Sequence, residues 1–489
     1  MPSYRIRKRI GRLWVWGCFS IAGAAVLKGQ VLPAQIPLET AAVEENPAVN
    51  LPMERSSDPP MDFWSRVWIS GQINSITQFH PAFHAGYSGE NSAGASAELA
   101  SSRVLTVFTG IRITRTTEIL FDVESAGGSG LGSALGMAGF TNLDVVRNPT
   151  LGSKPYPARY LVRQIVGLGK ETMEAPAGPL GLATRLPVRR LEFRLGKFST
   201  ADFLDVNSVG SDSHLQFMNW TVDNNGAYDY AADTRGYTYG ALVEYYDRGW
   251  AVRFLEATMP TVANGLTLDW NLRRARAENV EWELDRGVLP KRPGVLRALA
   301  YLNHANMGSY REAIDDFLAG RTSERPDITE TRQQGRLKYG FGLNAEQQLT
   351  AAVRGFVRWG WNEGHNESFA YTEVNQTVSG GVQWGGATWK RPDDRIGVAA
   401  VCNGISGDHR RYLELGGIGF LLGDGKLNYA RERILEAYYN WNLGRGMSLS
   451  LDLQRVENPG YNRDRGPILV PSIRFHSDID RKSFARKAN

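Results

Sequence analysis

The 489-residue chain is short of cysteine and of long apolar runs. It has two cysteines, Cys18 and Cys402. Only Cys402 would remain after removal of an export signal, so no disulfide could form within one mature chain. A single apolar run, at residues 13–27, approaches the length of about 20 residues that a membrane helix requires. These deficits exclude a disulfide-rich secreted domain and a bundle of membrane helices.

An excess of basic charge is also missing from most of the chain. The net charge is +5, but the first 34 residues contain six basic residues and no acid, which leaves −1 for the remainder. Nucleic-acid binders need clustered positive charge to neutralise phosphates. Long disorder is excluded as well, because aromatic residues make up 10% of the sequence. We therefore predict a folded protein that does not bind nucleic acid.

The N-terminal region has the features of an export signal. A cationic start, the apolar run at 13–27 and a small residue at Ala34 predict a cleaved signal peptide over residues 1–34. The alternatives are an anchoring helix and a lipoprotein site at Cys18. Residues 35–63 are rich in proline and acids, which predicts a flexible periplasmic leader.

Between residues 64 and 476 the main signal is alternation of apolar and polar side chains with period two, which is typical of strands with one apolar face. Most of the alternating segments are 8 to 12 residues long, and a tilted strand needs about 9–11 residues to cross a bilayer. We predict a barrel over 64–476 and a basic C-terminal tail over 477–489. The sixteen predicted strands are 67–78, 103–113, 117–125, 158–166, 189–197, 237–246, 250–257, 279–284, 295–303, 336–346, 351–361, 370–382, 395–403, 433–443, 446–455 and 467–476.

The polar faces of these strands favour a membrane barrel over a soluble sandwich or propeller. Charged residues occupy successive positions on one face, which suits a hydrated lumen, and short turns alternate with long connections, as in outer-membrane barrels. We predict an all-β fold, a transmembrane antiparallel β-barrel of about 16 strands with inward-folded loops. Sixteen strands leave an aqueous channel, so selectivity requires a constriction.

The best candidate for the constriction is the connection at 197–236. It combines carboxylates and amides with aromatic rings, which suits sugars because hydroxyls accept and donate hydrogen bonds while the C–H face of a sugar ring stacks on an aromatic ring. The alternative is a segment that caps the outside or packs against a neighbour.

Fourteen residues are predicted to line the pore and select the solute. The alternative for each charged residue is a cross-strand ion pair that braces the wall. The predicted basic wall comprises Arg159, Arg163, Arg190, Arg194, Lys338, Arg354 and Arg358; the acidic wall comprises Glu118, Asp122, Glu124 and Glu192; and the aromatic candidates are Trp220, Tyr230 and Trp361.

Signals for a metal site or for catalysis are weak. His80 and His84 flank Pro81, which breaks a helix, and no third ligand is near in sequence. Glu281 and Glu283 share a strand face about 7 Å apart, which fits an inverting glycosidase, but strand charges are common throughout the chain. We expect no metal, no cofactor and no enzyme activity.

An ordered set of motifs resembles the carbohydrate-selective porin family. The motifs, spread over about residues 64–476, include Gln78-Phe79-His80-Pro81, Gly196-Lys197-Phe198-Ser199, Phe217-Met218-Asn219-Trp220, Asp233-Thr234-Arg235-Gly236 and Asn458-Pro459-Gly460-Tyr461. The resemblance implies a sixteen-stranded outer-membrane barrel that passes monosaccharides and related small carbohydrates by facilitated diffusion, as a monomer. It also implies contact with outer-membrane lipids and insertion by the barrel-assembly machinery. The alternatives are a general or anion-preferring porin and a soluble periplasmic sugar-binding β-protein.

Overall fold

The computed structural model describes residues 63–146, 151–322, 324–370 and 373–480. The predicted signal peptide, the predicted leader up to residue 62 and the tail from residue 481 lie outside these ranges.

Sixteen long antiparallel strands in the described ranges form one closed sheet. Each strand pairs with its neighbours in the chain, and the first strand also pairs with the last, from Ser70 opposite Asp480 to Gln78 opposite Ser472. The strands are β1 (Val67–His80), β2 (Glu98–Arg112), β3 (Thr117–Gly128), β4 (Tyr156–Gly167), β5 (Arg190–Phe198), β6 (Thr238–Asp247), β7 (Trp250–Pro260), β8 (Arg276–Leu284), β9 (Gly294–Met307), β10 (Gln333–Gln348), β11 (Val353–Asn362), β12 (Gln376–Gly385), β13 (Arg395–Gly404), β14 (Glu432–Gly444), β15 (Met447–Glu457) and β16 (Ile468–Asp480).

The predicted barrel is therefore confirmed, and each predicted segment overlaps one strand. The largest difference is at β12, which begins at Gln376 rather than at 370. Ala370, its expected first residue, lies outside the strand, and the N–H groups of Phe369 and Ala370 donate to Asp229. In contrast, β16 is longer than predicted. It continues to Asp480, four residues beyond the predicted end, because it stays paired with β1.

Smaller elements connect the strands. The helices are α1 (Phe63–Arg66), α2 (Trp220–Asp223), α3 (Tyr310–Leu318) and α4 (Gly407–Glu414), and short 3-10 turns lie at Leu131–Ala134, Thr200–Asp202, Ile328–Thr331, Gly386–Trp389 and Pro459–Tyr461. Ser309 and Ser406 cap the N-termini of α3 and α4 with their side-chain oxygens. None of the helices in the described ranges is long and apolar enough to cross a membrane. Short strands lie at Thr172–Glu174, Arg185–Pro187 and Leu268–Asp269.

Side chains alternate across the barrel wall as the sequence pattern predicts. In β11, Val357 and Trp359 are exposed by 49% and 42%, whereas Arg358 between them is fully buried. The same alternation gives the outer surface an apolar band, as expected for a lipid-facing wall. The band includes Leu105, Val107, Ile119, Phe121, Val162, Leu195, Phe254, Val280, Leu302, Phe341, Leu343, Val378, Leu435, Leu451 and Ile473.

The two ends of the barrel differ. The start of β1 and the end of β16 lie at the same end as the tight turns 113–116, 248–249, 349–352 and 445–446, and we call this the turn end. The opposite, loop end carries the long connections, including 199–237 and 405–431. One connection at the turn end is also long, residues 168–189 between β4 and β5.

Candidate pore and constriction

The connection 199–237, which we call the constricting segment, crosses the lumen. It leaves the wall after β5 and returns at β6, yet it contacts strands on the opposite side of the barrel. Asn219 Nδ2 donates to Gln454 Oε1 in β15 at 3.0 Å, and the Met218 N–H donates to Glu436 Oε1 in β14 at 2.5 Å. The prediction that this segment folds inward is confirmed, and the alternative of an outer cap is excluded.

The described part of the connection 129–155, at the loop end, is hydrogen-bonded to the constricting segment. The N–H of Trp220 donates to the carbonyl of Phe140 at 3.1 Å, and the N–H of Leu143 donates to the carbonyl of Met218 at 3.1 Å. The N–H groups of Ala138 and Gly139 donate to the buried Glu432 carboxylate of β14. Backbone pairing thus joins the two segments into one layer across the barrel.

A cavity of about 610 Å³ lies between this layer and the wall formed by the first four strands. Its lining combines polar groups of β1–β4 with aromatic and acidic side chains of the constricting segment. Pro179 and Leu180, from the long connection 168–189 at the turn end, also line it. The lining residues used below are Glu124, Ala126, Asp144, Arg159, Pro179, Leu180, Asp202, Asp212, His214, Trp220, Asp223, Tyr230, Arg235 and Tyr237.

Three aromatic rings form a stack, and two of them, Trp220 and Tyr230, border the cavity. Trp220 lies between Phe140, with ring centroids 5.2 Å apart, and Tyr230, with centroids 5.8 Å apart. Both pairs are nearly parallel, at 23° and 24°. Trp220 and Tyr230 are almost completely buried, but they border the cavity. The stack therefore offers a rigid aromatic edge to a solute.

Charged groups of the wall face this aromatic edge. The guanidinium of Arg159 forms a bidentate pair with Asp202, at 2.7 and 2.6 Å, and a longer contact with Asp122 at 3.5 Å. The Glu124 carboxylate accepts hydrogen bonds from the hydroxyls of Tyr156 at 2.5 Å and Tyr237 at 2.9 Å. Each group is held in place, yet each borders the cavity and can accept or donate further hydrogen bonds.

A second ionisable pair lies in the loops beside β16. His214 Nε2 is 3.4 Å from Asp144 Oδ1. Burial opposes both charges, but the Asp144 carboxylate and its hydrogen bond raise the pKa of His214 to about 9. Burial also acts to raise the pKa of Asp144, but the charge of His214 and hydrogen bonds from His214 and Asn74 hold it below its usual value. The pair is therefore ionised at neutral pH.

Asp223, in α2, behaves differently. Burial raises the pKa of its carboxyl to about 8, although the charge of Arg358 acts to lower it. The group is mostly protonated at neutral pH and can then donate a hydrogen bond.

The carboxyl groups of the cavity lining outnumber its basic groups, which does not favour anions. Five carboxyl groups border the cavity, against two arginines and one histidine; they are Glu124, Asp144, Asp202, Asp212 and Asp223, with Arg159, Arg235 and His214. Within the ranges that the structure describes, no group of three or more His, Cys, Asp or Glu side chains is placed to hold a metal ion.

The structure brings four of the predicted pore residues to the cavity: Glu124, Arg159, Trp220 and Tyr230. Asp122 lies directly behind Arg159 and is fully buried. The five residues nearer the turn end do not border the cavity. Glu118, Arg163, Arg190, Glu192 and Arg194 point inward but are covered and joined in one network of ion pairs.

The predicted residues of β10 and β11 act as anchors or lie elsewhere. Lys338 pairs with Asp229 at 3.1 Å, and Arg358 pairs with Asp205 at 3.1 Å, so these fully buried cations hold the constricting segment to the wall. Arg354 lies two residues beyond the turn 349–352, 3.5 Å from Glu346.

The prediction for Trp361 is wrong. Trp361 is paired in register with Phe341 and stacks on it, with centroids 6.0 Å apart. Phe341 is 48% exposed on the outer surface. The physical reason is alternation: Trp361 is three residues from the inward Arg358, and an odd separation in a strand places two side chains on opposite faces.

Several cavity residues were not singled out from the sequence. Asp202, Asp212, Asp223 and Arg235 lie in the predicted constricting segment, but nothing in their spacing separates them from its other polar residues. Asp144 and His214 are 70 residues apart in sequence and meet only because two loops fold inward.

Comparison with known proteins identifies the family. The family model described as carbohydrate-selective porin, OprB family, matches residues 182–478, more than half of the chain. The high-pH structure of Pseudomonas putida OprB is 15% identical with a TM-score of 0.62, over 85% of this chain and 95% of that one. The outer-membrane channel DcaP of Acinetobacter baumannii is 9% identical with a TM-score of 0.43, over 84% and 97%. No curated protein sequence matches. The chain belongs to the carbohydrate-selective porin family.

Proposed function

We propose that this outer-membrane sugar porin passes monosaccharides and similar small sugars by facilitated diffusion through the cavity beside the constricting segment. The observation that carries the proposal is that Trp220 and Tyr230, in a stack with Phe140, border the same cavity as the fixed polar groups Glu124 and Arg159. A sugar ring has an apolar C–H face and a rim of hydroxyls, and the two sides of the cavity match these two features.

The contacts divide between the two sides. Hydroxyls donate to the Glu124 carboxylate and accept from the Arg159 guanidinium, which Asp202 holds in position. The ring face packs against Trp220 or Tyr230. A Kd near 1 mM corresponds to about −4 kcal/mol, which is weak enough for rapid release. A few charge-assisted hydrogen bonds and one stacked ring supply this after immobilisation costs.

An anion-preferring porin is the competing function within the same fold. It would need uncompensated cations along the path. Most predicted arginines are instead neutralised by carboxylates, and the cavity has more carboxyl groups than bases. The lining therefore favours neutral, hydroxyl-rich solutes. No step of the proposed passage changes the solute chemically, so the protein acts as a channel and not as an enzyme.

Because the cavity is formed within one chain, a monomer is sufficient for the proposed passage, with outer-membrane lipids around it and the barrel-assembly machinery to insert it. Light scattering of the purified protein in detergent tests this, and a stable trimer would contradict it.

Sugar block of ion current in planar bilayers tests the proposed function. Glucose added to the wild-type channel should reduce the current with half-saturation in the millimolar range. Trp220→Ala should weaken this block about tenfold, because a stacked ring contributes about 1 kcal/mol or more beyond its buried area. Trp361→Ala is the matched control on the outer surface and should leave the block unchanged.

Heat-modifiable migration shows that each variant is folded. If a folded Trp220→Ala barrel is blocked by glucose as strongly as the wild type, then the sugar does not stack on Trp220. A wild-type channel whose current does not respond to glucose would overturn the proposed function.

A further inference from the structure

The connection 168–189, which we call the turn-end insert, is unlike the other turns at its end of the barrel. Its two short strands, Thr172–Glu174 and Arg185–Pro187, pair as a hairpin. Beyond them the N–H of Ala175 donates to the carbonyl of Thr184, and Gly178 and Gly181 exchange hydrogen bonds at 2.8 and 3.1 Å. The hairpin therefore ends in a tight tip at residues 178–181.

The tip lies inside the lumen. The Leu180 carbonyl accepts a hydrogen bond from Arg194 Nη1 at 2.9 Å, and the N–H of Leu182 donates to Glu118 Oε2 at 3.0 Å. Arg194 is four residues along β5 from its first residue, Arg190, which is about 13 Å along the strand. The tip of the insert therefore contacts a wall side chain that starts this far along the strand from the turn end.

The inner wall forms a fitted seat for the insert. Arg163 bridges Glu118 at 3.1 Å and Glu192 at 2.7 Å, and Arg194 bridges Glu192 at 2.9 Å and Glu244 at 2.8 Å. These side chains are at most 7% exposed although they point into the lumen. The insert covers Glu118 and Arg194 through its hydrogen bonds to them, and the ring of Phe203 from the constricting segment lies 4.7 Å from the Arg194 guanidinium.

The tip fits its seat closely. A Cβ atom on Gly181 would lie 2.3 Å from Arg163 Nη1, so a larger residue would displace the guanidinium. Leu182 is 5% exposed and belongs to the same apolar cluster as Leu120 and Leu161 of the wall. Hydrogen bonds, close packing and apolar burial together fix the tip in one position.

On its other side, the tip borders the cavity described above. Pro179 and Leu180 line the cavity together with Trp220 and Tyr230. The side chains of Pro179 and Leu180 have no hydrogen-bonding groups, so they limit a passing sugar by volume and not by polar contacts.

We propose that the turn-end insert is a fixed plug that sets the size limit of the channel at its periplasmic exit. Short turns face the periplasm in bacterial outer-membrane barrels, which places the turn end there. The proposal rests on the proposed function to the extent that the cavity is the path of the solute. In this account Glu118, Arg163, Glu192 and Arg194 hold the plug and do not bind sugar.

Shortening the insert tests the plug. Because Ala175 and Thr184 are already paired across the hairpin, residues 176–183 can be replaced by Asn-Gly, which closes a two-residue turn. Single-channel conductance in KCl should rise by about twofold or more, since a wider path carries more ions. Disaccharide and trisaccharide uptake by liposomes should also increase. An unchanged conductance and size limit in a heat-modifiable, folded barrel would overturn the proposal.

A cysteine at the tip gives a second test that leaves the fold intact. Cys402, the cysteine among the described residues, is first replaced by serine. A charged methanethiosulfonate reagent should then react with Leu180→Cys and reduce the current. The matched control is Val288→Cys in another connection at the turn end, 70% exposed, which should react without affecting the current.

Absence of reaction at Leu180→Cys, or reaction without loss of current, would overturn the plug. Because both tests measure ion current, they separate the two proposals. A conductance that depends on the insert in a channel that glucose does not block would retain the plug and reject the proposed sugar path.

Discussion

The inner wall of the barrel has two regions that look alike in sequence and differ in the structure. Glu118 and Glu124 lie six residues apart on the inward face of β3, and Arg163 and Arg159 lie four apart on β4. Near the turn end, Glu118 and Arg163 are sealed under the insert and paired with each other. Nearer the loop end, Glu124 and Arg159 border the cavity. Alternation in a strand thus determines which way a side chain points, while the segments folded into the lumen determine whether water reaches it.

The largest effect that distinguishes the two regions should be on stability. Arg163→Ala leaves the buried carboxylates Glu118 and Glu192 without their shared partner, which should cost about 3–5 kcal/mol. Arg159→Ala should cost less, because Arg159 borders an aqueous cavity that can hydrate Asp202. Urea unfolding in lipid vesicles measures both. Equal losses would contradict the distinction between a sealed and an open region.

The next effect should be on sugar affinity. Glu124→Gln removes a charged acceptor from the cavity and should weaken glucose block of the current by about threefold to tenfold. Glu118→Gln is the same substitution beneath the insert and should leave the block unchanged. If Glu118→Gln weakens the block as much as Glu124→Gln, then the lower wall contacts sugar and the comparison fails.

A smaller effect should appear in ion preference as pH changes. Burial raises the pKa of Asp223 to about 8, so this carboxyl is neutral below that pH and negative above it. Raising the pH from about 6 to about 9.5 should therefore shift the reversal potential in a KCl gradient toward cation preference. His214, with a pKa of about 9, loses its positive charge in the same range and adds to the shift.

Asp223→Asn should retain only the part of this shift that His214 causes. A full wild-type shift in Asp223→Asn would show that the Asp223 carboxyl does not titrate in the cavity.

The smallest effect should come from the outward aromatic residues. Trp361→Phe changes a ring that stacks on Phe341 at the lipid-facing surface. Conductance and glucose block should both stay at wild-type values in planar bilayers. A change in either would indicate that the outer wall is coupled to the path.

The barrel could be predicted from the sequence because its cause is local. A strand between lipid and water must alternate apolar and polar side chains, so each of the sixteen strands can be recognised from its own sequence. The same rule, applied strictly, separates Trp361 from Arg358, because three residues of strand cannot place both side chains inward.

The rest of the site depends on long-range contacts that leave no local pattern. Residues 178–183, Gly-Pro-Leu-Gly-Leu-Ala, have neither strand nor helix periodicity, and their position follows from hydrogen bonds to Glu118 and Arg194 on the wall. Lys338 and Arg358 likewise have the sequence context of lumen charges. Their partners Asp229 and Asp205 arrive from a segment more than 100 residues away.

The most direct test of the account compares how fast two single-cysteine variants react with a water-soluble thiol reagent, with and without glucose. Ala126→Cys borders the cavity, whereas Leu120→Cys lies on the same inward face of β3 in the sealed region, 1% exposed. With Cys402 replaced by serine, we expect Ala126→Cys to react rapidly and glucose to slow it, while Leu120→Cys stays unmodified. Equal reaction at both positions, or no protection of Ala126→Cys by glucose, would contradict the account.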